Sequence, residues 1–286
     1  MHLVRVFSII LSFIFTSCAG ATVFYNPQTG EKLPLKEAVK TLEASGIYVL
    51  GETHYVQEIQ EAQGEFIKSF VKEHGLQEDF NVAWEFLDFP RQSIIEAEFE
   101  KWSQGLVSFD AMMKEAFGRN PGDNILYRPL FDAAKIYGGK IIATNAPREW
   151  KRKIVSDGFQ ALNADETPRG LRRGNDAYLE RFIAAMGGHG DPATFENYFL
   201  AQSYTDAVMA DQIEKNHTST SFMIVGHFHS DFGHGLPEYL RDLGAVKPVL
   251  IRMIDASGLS DSELTDALKP HVKYGEVADY FIIVGE

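Results

Sequence analysis

Residues 47–54 read IYVLGETH, a short apolar run that ends in a glycine, a carboxylate and a histidine. A short run rich in β-branched and aromatic side chains is typical of a buried strand in a parallel sheet. The polar segment Gly51-Glu52-Thr53-His54 then follows the carboxyl end of that strand, which is where open α/β sheets bind their ligands. The stretch therefore predicts an α/β fold with a polar site at one edge of its sheet.

Five further runs have the same character, at residues 80–86, 140–144, 221–225, 248–254 and 280–284. Segments with helical spacing separate several of them, at residues 56–74, 94–102, 109–117, 129–137 and 236–243. Strands that alternate with helices predict right-handed βαβ units, with helices covering both faces of the sheet. We therefore expect a three-layer α/β domain with a mostly parallel sheet over residues 22–286.

Two segments depart from this alternation. Residues 150–217 contain no run typical of a strand, but they show two long helical patterns, at 174–186 and 193–215. We interpret this segment as an all-helical insertion between the third and fourth main strands. Residues 24–30 have the composition of a short edge strand followed by a turn.

The composition places the chain among ordinary globular proteins and excludes one class of partner. Of 286 residues, 45% are hydrophobic, which is enough apolar material for a sizeable core. The formal net charge is −13, with no basic face to attract phosphate backbones. A sequence-independent nucleic-acid binder is therefore not expected.

The N-terminus has the pattern of a secretory signal. A short basic start precedes about ten mostly apolar residues, 6–15, a run too short to cross a bilayer as an ordinary helix. The string Phe15-Thr16-Ser17-Cys18 resembles a bacterial lipobox, although leucine is usual where Phe15 stands. Cys18 is the one cysteine of the chain, and we interpret it as the lipidated first residue after a signal peptide at 1–17. The alternative is cleavage at Ala19-Gly20-Ala21, which would discard the cysteine.

Polar side chains follow or end four of the predicted strands. They are the segment at 51–54, Glu85 within Trp84-Glu85-Phe86, Asn145 and Arg148 within Asn145-Ala146-Pro147-Arg148, and the segment Gly226-His227-Phe228-His229. A carboxylate in a buried strand is costly unless it is paired or ligated, so Glu85 is a candidate functional residue rather than a surface one. In an extended segment His227 and His229 point to the same side, which suits metal ligation.

Taken together, these segments resemble the ChaN-like family of haem-binding lipoproteins, within the wider Tiki/erythromycin-esterase-like superfamily. The matching pieces stand in the family's order: GETH at 51–54, WEF at 84–86, the block from Tyr127-Arg128-Pro129 to Arg148, the helix QSYTDAVMA at 202–210, and GHFHSDFGHGLP at 226–237. They cover roughly residues 45–245. His54, Glu85, Asn145, Arg148, Asp206 and His229 occupy motif positions.

The resemblance implies a haem-binding protein that is attached to a bacterial envelope membrane and acts in haem or iron uptake, with a homodimer as a possible form. For cofactor binding it implicates His54, Tyr55, Tyr127, Arg148, Tyr204 and His229. Histidine and tyrosine both serve as axial haem ligands, and the choice among these residues stays open. Arg128 and Arg148 are suited to pair with propionates. Because Ala19 follows Cys18 where aspartate would favour inner-membrane retention, the outer membrane is preferred.

The same superfamily implies a second hypothesis. Its Tiki branch resembles metal-dependent peptidases that use two GxxH motifs, and this chain has GETH and GHFH. In this alternative Glu52, His54, Glu85 and His229 bind a divalent metal such as Zn²⁺ or Mn²⁺, and a carboxylate acts as general base towards bound water in a peptidase or esterase.

Overall fold

The computed structural model describes residues 22–187 and 191–285. The predicted signal peptide and Cys18 therefore lie outside the described residues. The strands are β1 (Val23–Asn26), β2 (Glu31–Pro34), β3 (Gly46–Glu52), β4 (Phe80–Asp88), β5 (Lys140–Asn145), β6 (Thr220–Gly226), β7 (Val249–Asp255) and β8 (Tyr280–Val284). The helices are α1 (Leu35–Ala38), α2 (Gln57–His74), α3 (Gln92–Ser103), α4 (Phe109–Phe117), α5 (Arg128–Tyr137), α6 (Arg148–Asp157), α7 (Asp176–Ala185), α8 (Pro192–Asn216), α9 (Leu236–Asp242) and α10 (Asp261–Leu268).

The eight strands form one sheet in the order β2-β1-β8-β7-β3-β6-β4-β5. Strands β3 to β8 are all parallel to one another, whereas β1 is antiparallel to both β2 and β8. The predicted mostly parallel sheet is confirmed, and the apolar run at 47–50 forms the middle of the central strand β3.

Helices cover both faces of the sheet because the side chains of each strand alternate between them. From β3, Tyr48 and Leu50 enter a core that includes residues of α2, α3, α4 and α5. Ile47 and Val49 enter the opposite core, together with residues of α8 and α9. This explains why β3 is buried along its whole length, and it confirms the three layers.

The strand order changes direction beside β3. The chain passes from β3 to β4, skips the place later filled by β6, and finally adds β7 on the other side of β3. Crevices form at such switch points, beyond the carboxyl ends of the strands. The register of β3 and β6 aligns Glu52 with Gly226, so the segments GETH and GHFH meet at this place.

The predicted helical insertion is confirmed, and it begins with α6 at Arg148. It contains α6, α7, α8 and a single 3₁₀ turn at Phe159–Ala161, with no strand in the described part of the segment. Asn175 and Asp191 cap the first turns of α7 and α8 by accepting hydrogen bonds from backbone N–H groups. The sequence analysis missed α10, although Ser260 and Glu263 form a capping box at its start.

Helices α2 and α5 approach each other closely at Gly64, which gives a test of this packing. A Cβ atom at position 64 would lie 2.6 Å from Cβ and 2.8 Å from the carbonyl oxygen of Pro129. We expect Gly64→Ala to lower the free energy of unfolding by about 1–3 kcal/mol, because overpacking outweighs the gain of about 1 kcal/mol in helix propensity. Urea unfolding measures this. The control Gly258→Ala has no atom within 4 Å of the added Cβ, and it should change stability by less than about 0.5 kcal/mol.

Candidate functional site

Five side chains from four segments of the chain form a continuous row of alternating carboxylates and imidazoles at the carboxyl edge of the sheet. His54 Nδ1 lies 2.9 Å from Glu52 Oε1, and His54 Nε2 lies 3.1 Å from Glu85 Oε1. On the far side of Glu85, His229 Nε2 lies 3.8 Å from Oε2, while His229 Nδ1 lies 2.6 Å from Asp206 Oδ1. Each histidine is thus placed between two acids. We call this set the acid–histidine row.

Glu52 fixes one end of the row. Its side chain is fully buried, and it accepts hydrogen bonds from Gln60 Nε2 at 3.1 Å, from Gln63 Nε2 at 2.5 Å and from the hydroxyl of Tyr127. Both glutamines lie on the first turns of α2, directly after the GETH segment. A buried carboxylate with this many donors is held in one orientation. Because His54 Nδ1 contacts this carboxylate, Glu52 also fixes the position of the His54 ring.

Glu85 is the centre of the row. It is buried, and besides the two histidines it accepts a hydrogen bond of 3.0 Å from the backbone N–H of Gly226. Burial raises the pKa of its carboxyl group, and the positive charges of His229 and His54 offset part of that effect. A Cβ at position 226 would lie 2.8 Å from the ring of His54, so any larger residue there would displace that ring from its place between Glu52 and Glu85.

The far end of the row is fixed from the helical insertion. Asp206, on α8, is fully buried and accepts a hydrogen bond of 2.9 Å from the hydroxyl of Tyr178, on α7. Burial raises the pKa of Asp206, and the charge and hydrogen bond of His229 counteract it. For His229, burial disfavours the imidazolium, but the charge and hydrogen bond of Asp206 prevail and raise its pKa. His54 behaves alike: the hydrogen bond to Glu52 and the charge of Glu85 outweigh burial and raise its pKa.

All four pKa shifts are upward, and this predicts how the stability of the protein depends on pH. The pKa values of Glu85, Asp206, His54 and His229 are all raised, so the folded protein holds more protons than the unfolded chain. Their contribution to stability is therefore greatest below the ordinary carboxyl range and falls as pH rises through and beyond the ordinary histidine value of 6.5. Urea unfolding between pH 5 and 9 (roughly the range that histidines sample) should show the wild type losing stability relative to Glu85→Gln. The matched exposed variant Glu58→Gln should follow the wild type.

His227 is not part of this site, so the prediction that it pairs with His229 on one side of an extended segment was wrong. Residues His227–His229 form a 3₁₀ turn rather than a strand. The turn directs His227 Nδ1 to Asp231 Oδ2 at 2.8 Å, away from the row. Asp231 in turn lies 3.6 Å from the guanidinium of Arg252, so His227 belongs to a separate ion-pair cluster.

A cavity of about 810 Å³ opens between this edge of the sheet and helices α6, α7 and α8. The floor is polar, with His54, Glu85 and His229. Much of the wall is apolar, and it includes Phe86, Val155, Phe182, Met186 and Tyr198. The cavity thus combines a floor of ionisable side chains with an apolar wall suited to an apolar ligand.

One wall of the cavity is positively charged. Arg148, Lys151 and Arg152 line it from a single face of α6, at i, i+3 and i+4. Lys151 Nζ donates to Asn145 Oδ1 at 3.0 Å, and burial, with the nearby charge of Arg148, lowers its pKa. Within the described residues neither arginine has a hydrogen bond or an ion pair to a carboxylate. This cationic wall is suited to an anionic group of a ligand.

The three tyrosines suggested by the sequence differ in their exposure and in their hydrogen bonds. Tyr127 and Tyr204 are fully buried, with their hydroxyls bonded to Glu52 and to the carbonyl oxygen of Glu166, so neither is presented to the cavity. Tyr55 is partly exposed at the same edge, stacked on Phe86. The sequence analysis missed Tyr198, which lines the cavity and is 45% exposed.

Two further residues in the sequence analysis have definite places. Asn145 donates from Nδ2 to the carbonyl oxygen of Glu85 at 2.5 Å and so braces β4 against β5. Arg128 lies on α5, within 3.4 Å of Asp132 and over the ring of Phe109, and it is not a lining residue of the cavity. Lys151 and Arg152 were missed, although their spacing from Arg148 after a strand was a usable signal.

Comparison with protein-family models gives a match over most of the chain. A family model described as haem-binding uptake, Tiki superfamily, ChaN matches residues 38–240, well over half of the chain. The chain belongs to the ChaN family. This confirms the resemblance drawn from the five sequence segments. No curated protein matches the chain.

A solved structure shares the fold of this ChaN-family chain. ChaN of Campylobacter jejuni, solved with cofacially bound haem, is 16% identical with a TM-score of 0.69, over 92% of this chain and 97% of that one. A mutant of the erythromycin esterase EreC in its open conformation is 12% identical with a TM-score of 0.49, over 92% and 97% of the two chains.

The metal hypothesis requires several ligating side chains that are grouped around one point. Among residues 22–187 and 191–285, no three His, Cys, Asp or Glu side chains are grouped so that they could hold a metal ion. Glu52, His54, Glu85 and His229 are brought together, but as a row of paired acids and bases.

In the same part of the ChaN-family chain, no helix has the length and hydropathy needed to cross a bilayer.

Proposed function

We propose that this protein binds haem in the cavity at the carboxyl edge of the sheet and serves haem uptake as an envelope lipoprotein. The observation that carries the proposal is the division of the cavity into apolar and cationic walls. Haem is a flat apolar macrocycle with two carboxylates on one side, and this cavity offers a partner for each part. Membership of the haem-binding ChaN family supports the same ligand.

The charged wall defines how haem would lie. Arg148 and Arg152, with Lys151 between them, would hold the propionates at the first turns of α6, where the helix dipole also favours anions. The macrocycle would then extend over Phe86 towards Phe182 and Met186. Three members of the acid–histidine row, His54, Glu85 and His229, would then face the bound group from the floor of the cavity.

Tyr198 is the side chain best placed to bind the iron. Both nitrogens of His54 already face carboxylates, as do those of His229, so an imidazole ligand would first have to give up a partner. The Tyr198 hydroxyl has no hydrogen-bond partner among the described residues and lies in the cavity wall. A phenolate oxygen is an established axial ligand for haem iron.

Hemin titration of the purified protein tests this assignment. Tyr198→Phe should remove the charge-transfer band of a tyrosinate–iron bond and weaken hemin binding by about tenfold or more, equivalent to at least about 1.4 kcal/mol. Tyr55→Phe is the matched control, since Tyr55 is exposed at the same edge but is outside the cavity lining. A loss of the band in Tyr55→Phe alone would show that Tyr55 is the ligand. The absence of any Soret shift in the wild type would contradict the proposed function.

The envelope location rests on the lipobox-like string that ends at Cys18. Acylation there would anchor the protein while the described domain stays outside the bilayer. Metabolic labelling with a palmitate analogue should label the wild type and not Cys18→Ser. The outer membrane and a homodimer stay predictions, which density-gradient fractionation and sedimentation with and without hemin would test.

A further inference from the structure

Lys151 is the one lysine that lines the cavity in the described part of the chain. Its Nζ donates to the side-chain oxygen of Asn145 at 3.0 Å, and no carboxylate oxygen of the described residues lies within 4.0 Å of it. Lys153, two positions further along α6, is instead paired with Glu166 at 2.6 Å. The amine of Lys151 is therefore held by a neutral acceptor, whereas its neighbour is held by a negative charge.

The surroundings of Lys151 also favour its neutral form. Burial lowers the pKa of Lys151 below the ordinary lysine value of 10.5, and the charge of Arg148 acts in the same direction. The charges of Asp88, Glu85 and Glu149 oppose this shift without reversing it. An amine that is partly buried beside another cation is a nucleophile, because more of it is unprotonated near neutral pH.

The groups around Lys151 fit a carbonyl compound that also carries a negative charge. Arg148 and Arg152 line the cavity from the same helix and suit a carboxylate or phosphate of that molecule. The apolar wall suits its carbon skeleton. Glu85 and His229 line the floor, and the loss of water from a carbinolamine requires a proton donor. A nucleophilic amine, two anion-binding groups and acid–base groups thus share one cavity.

We propose that Lys151 is a nucleophile that forms an imine with an aldehyde or ketone carrying an anionic group. The lone pair of Nζ forms a bond to the carbonyl carbon, and the carbonyl oxygen takes up a proton. The resulting carbinolamine loses that oxygen as water. Both protons of the neutral amine end in this water, so the step consumes no oxidant or reductant. The activity is additional to haem binding and does not require haem.

Reductive trapping with 4-formylbenzoate tests the nucleophile in the full-length protein. Sodium cyanoborohydride reduces the imine to a secondary amine, and peptide mass spectrometry then gives the rate of modification at each lysine. Near neutral pH, Lys151 should be modified at least about tenfold faster than Lys153, because more of its amine is unprotonated. Modification of Lys151 no faster than that of Lys153 would overturn the proposal.

Benzaldehyde is the matched probe for the anionic group, since it has the same ring and aldehyde but no carboxylate. The preference for Lys151 over Lys153 should be smaller with benzaldehyde than with 4-formylbenzoate. The double variant Arg148→Ala/Arg152→Ala should remove this difference between the probes, because it keeps the amine and loses the anion-binding groups. An equal preference with both probes in the wild type would contradict the anionic part of the proposal.

Hemin separates a failure of this activity from a failure of the proposed function. Saturating hemin should protect Lys151 from 4-formylbenzoate and leave Lys153 reactive, because the two ligands share the cavity. A Soret shift without selective modification of Lys151 in the hemin-free protein would overturn the imine alone. Selective modification without a Soret shift would support the imine and contradict haem binding.

Discussion

Replacing Asp206 with alanine is expected to lower the free energy of unfolding by about 3–5 kcal/mol, because it leaves a buried imidazolium without its partner. Asp206 is fully buried and accepts from His229 at 2.6 Å and from the Tyr178 hydroxyl at 2.9 Å. It also accepts from the backbone N–H of Leu236, which begins α9. Alanine would leave three donors unsatisfied between the sheet, the insertion and α9.

Urea unfolding near pH 6 measures the loss. Asp206→Asn keeps an acceptor oxygen but not the charge, so it should lose less than Asp206→Ala. Asp266→Ala is the control, since its side chain is 73% exposed and pairs only with Lys269 at the surface, and it should change stability by less than about 0.5 kcal/mol. A loss in Asp206→Ala no larger than in this control would show that the carboxylate does not hold the elements together.

The second large effect concerns the cationic wall. We expect the double variant Arg148→Ala/Arg152→Ala to weaken hemin binding by about 100-fold or more, because each hydrogen bond to a charged group contributes about 1.5–3 kcal/mol. Both arginines are without carboxylate partners within the described residues, so their removal leaves no protein charge uncompensated. The stability of the apoprotein should therefore change little.

Hemin titrations at two salt concentrations check this result. Binding by the wild type should weaken as salt rises, and the double variant should have lost most of that dependence. Lys101→Ala/Lys114→Ala removes two positive charges from α3 and α4, outside the cavity lining, and should bind hemin as the wild type does. Equal weakening in both double variants would mean that net charge, rather than the cationic wall, governs affinity.

Much of the fold follows from the sequence because the spacing of apolar residues within a short segment indicates whether that segment is a buried strand or an amphipathic helix. The apolar run at 47–50 is flanked by glycines and leads into a helix with one apolar face, and β3 and α2 form there. Strand β2 and helix α1 were not predicted, since each has four residues and depends on tertiary packing.

A site residue could be predicted from the sequence where its side chain is unusual for the predicted element that contains it. Glu85 stood out as a carboxylate inside an apolar strand, and it is the centre of the row. Tyr198 did not stand out, because an aromatic residue on a helix is ordinarily a core residue, whereas here it lines the cavity and is exposed. His227 misled for a related reason: alternation predicts a shared side only if the segment stays extended, and here a 3₁₀ turn replaces the strand.

The pairing of Val23 with Ile283 has a practical consequence. Because β1 is antiparallel to β8, Thr22 and Gly285 emerge side by side, and both do so at the edge that carries the cavity. A fluorescent protein fused after Gly285 would therefore sit at the same edge as the cavity, three strand spacings or about 14 Å along the sheet from β6, where a body of that size would crowd the ligand. The turn at Gly244-Ala245-Val246, between α9 and β7, lies at the opposite edge and is the better insertion point for a reporter.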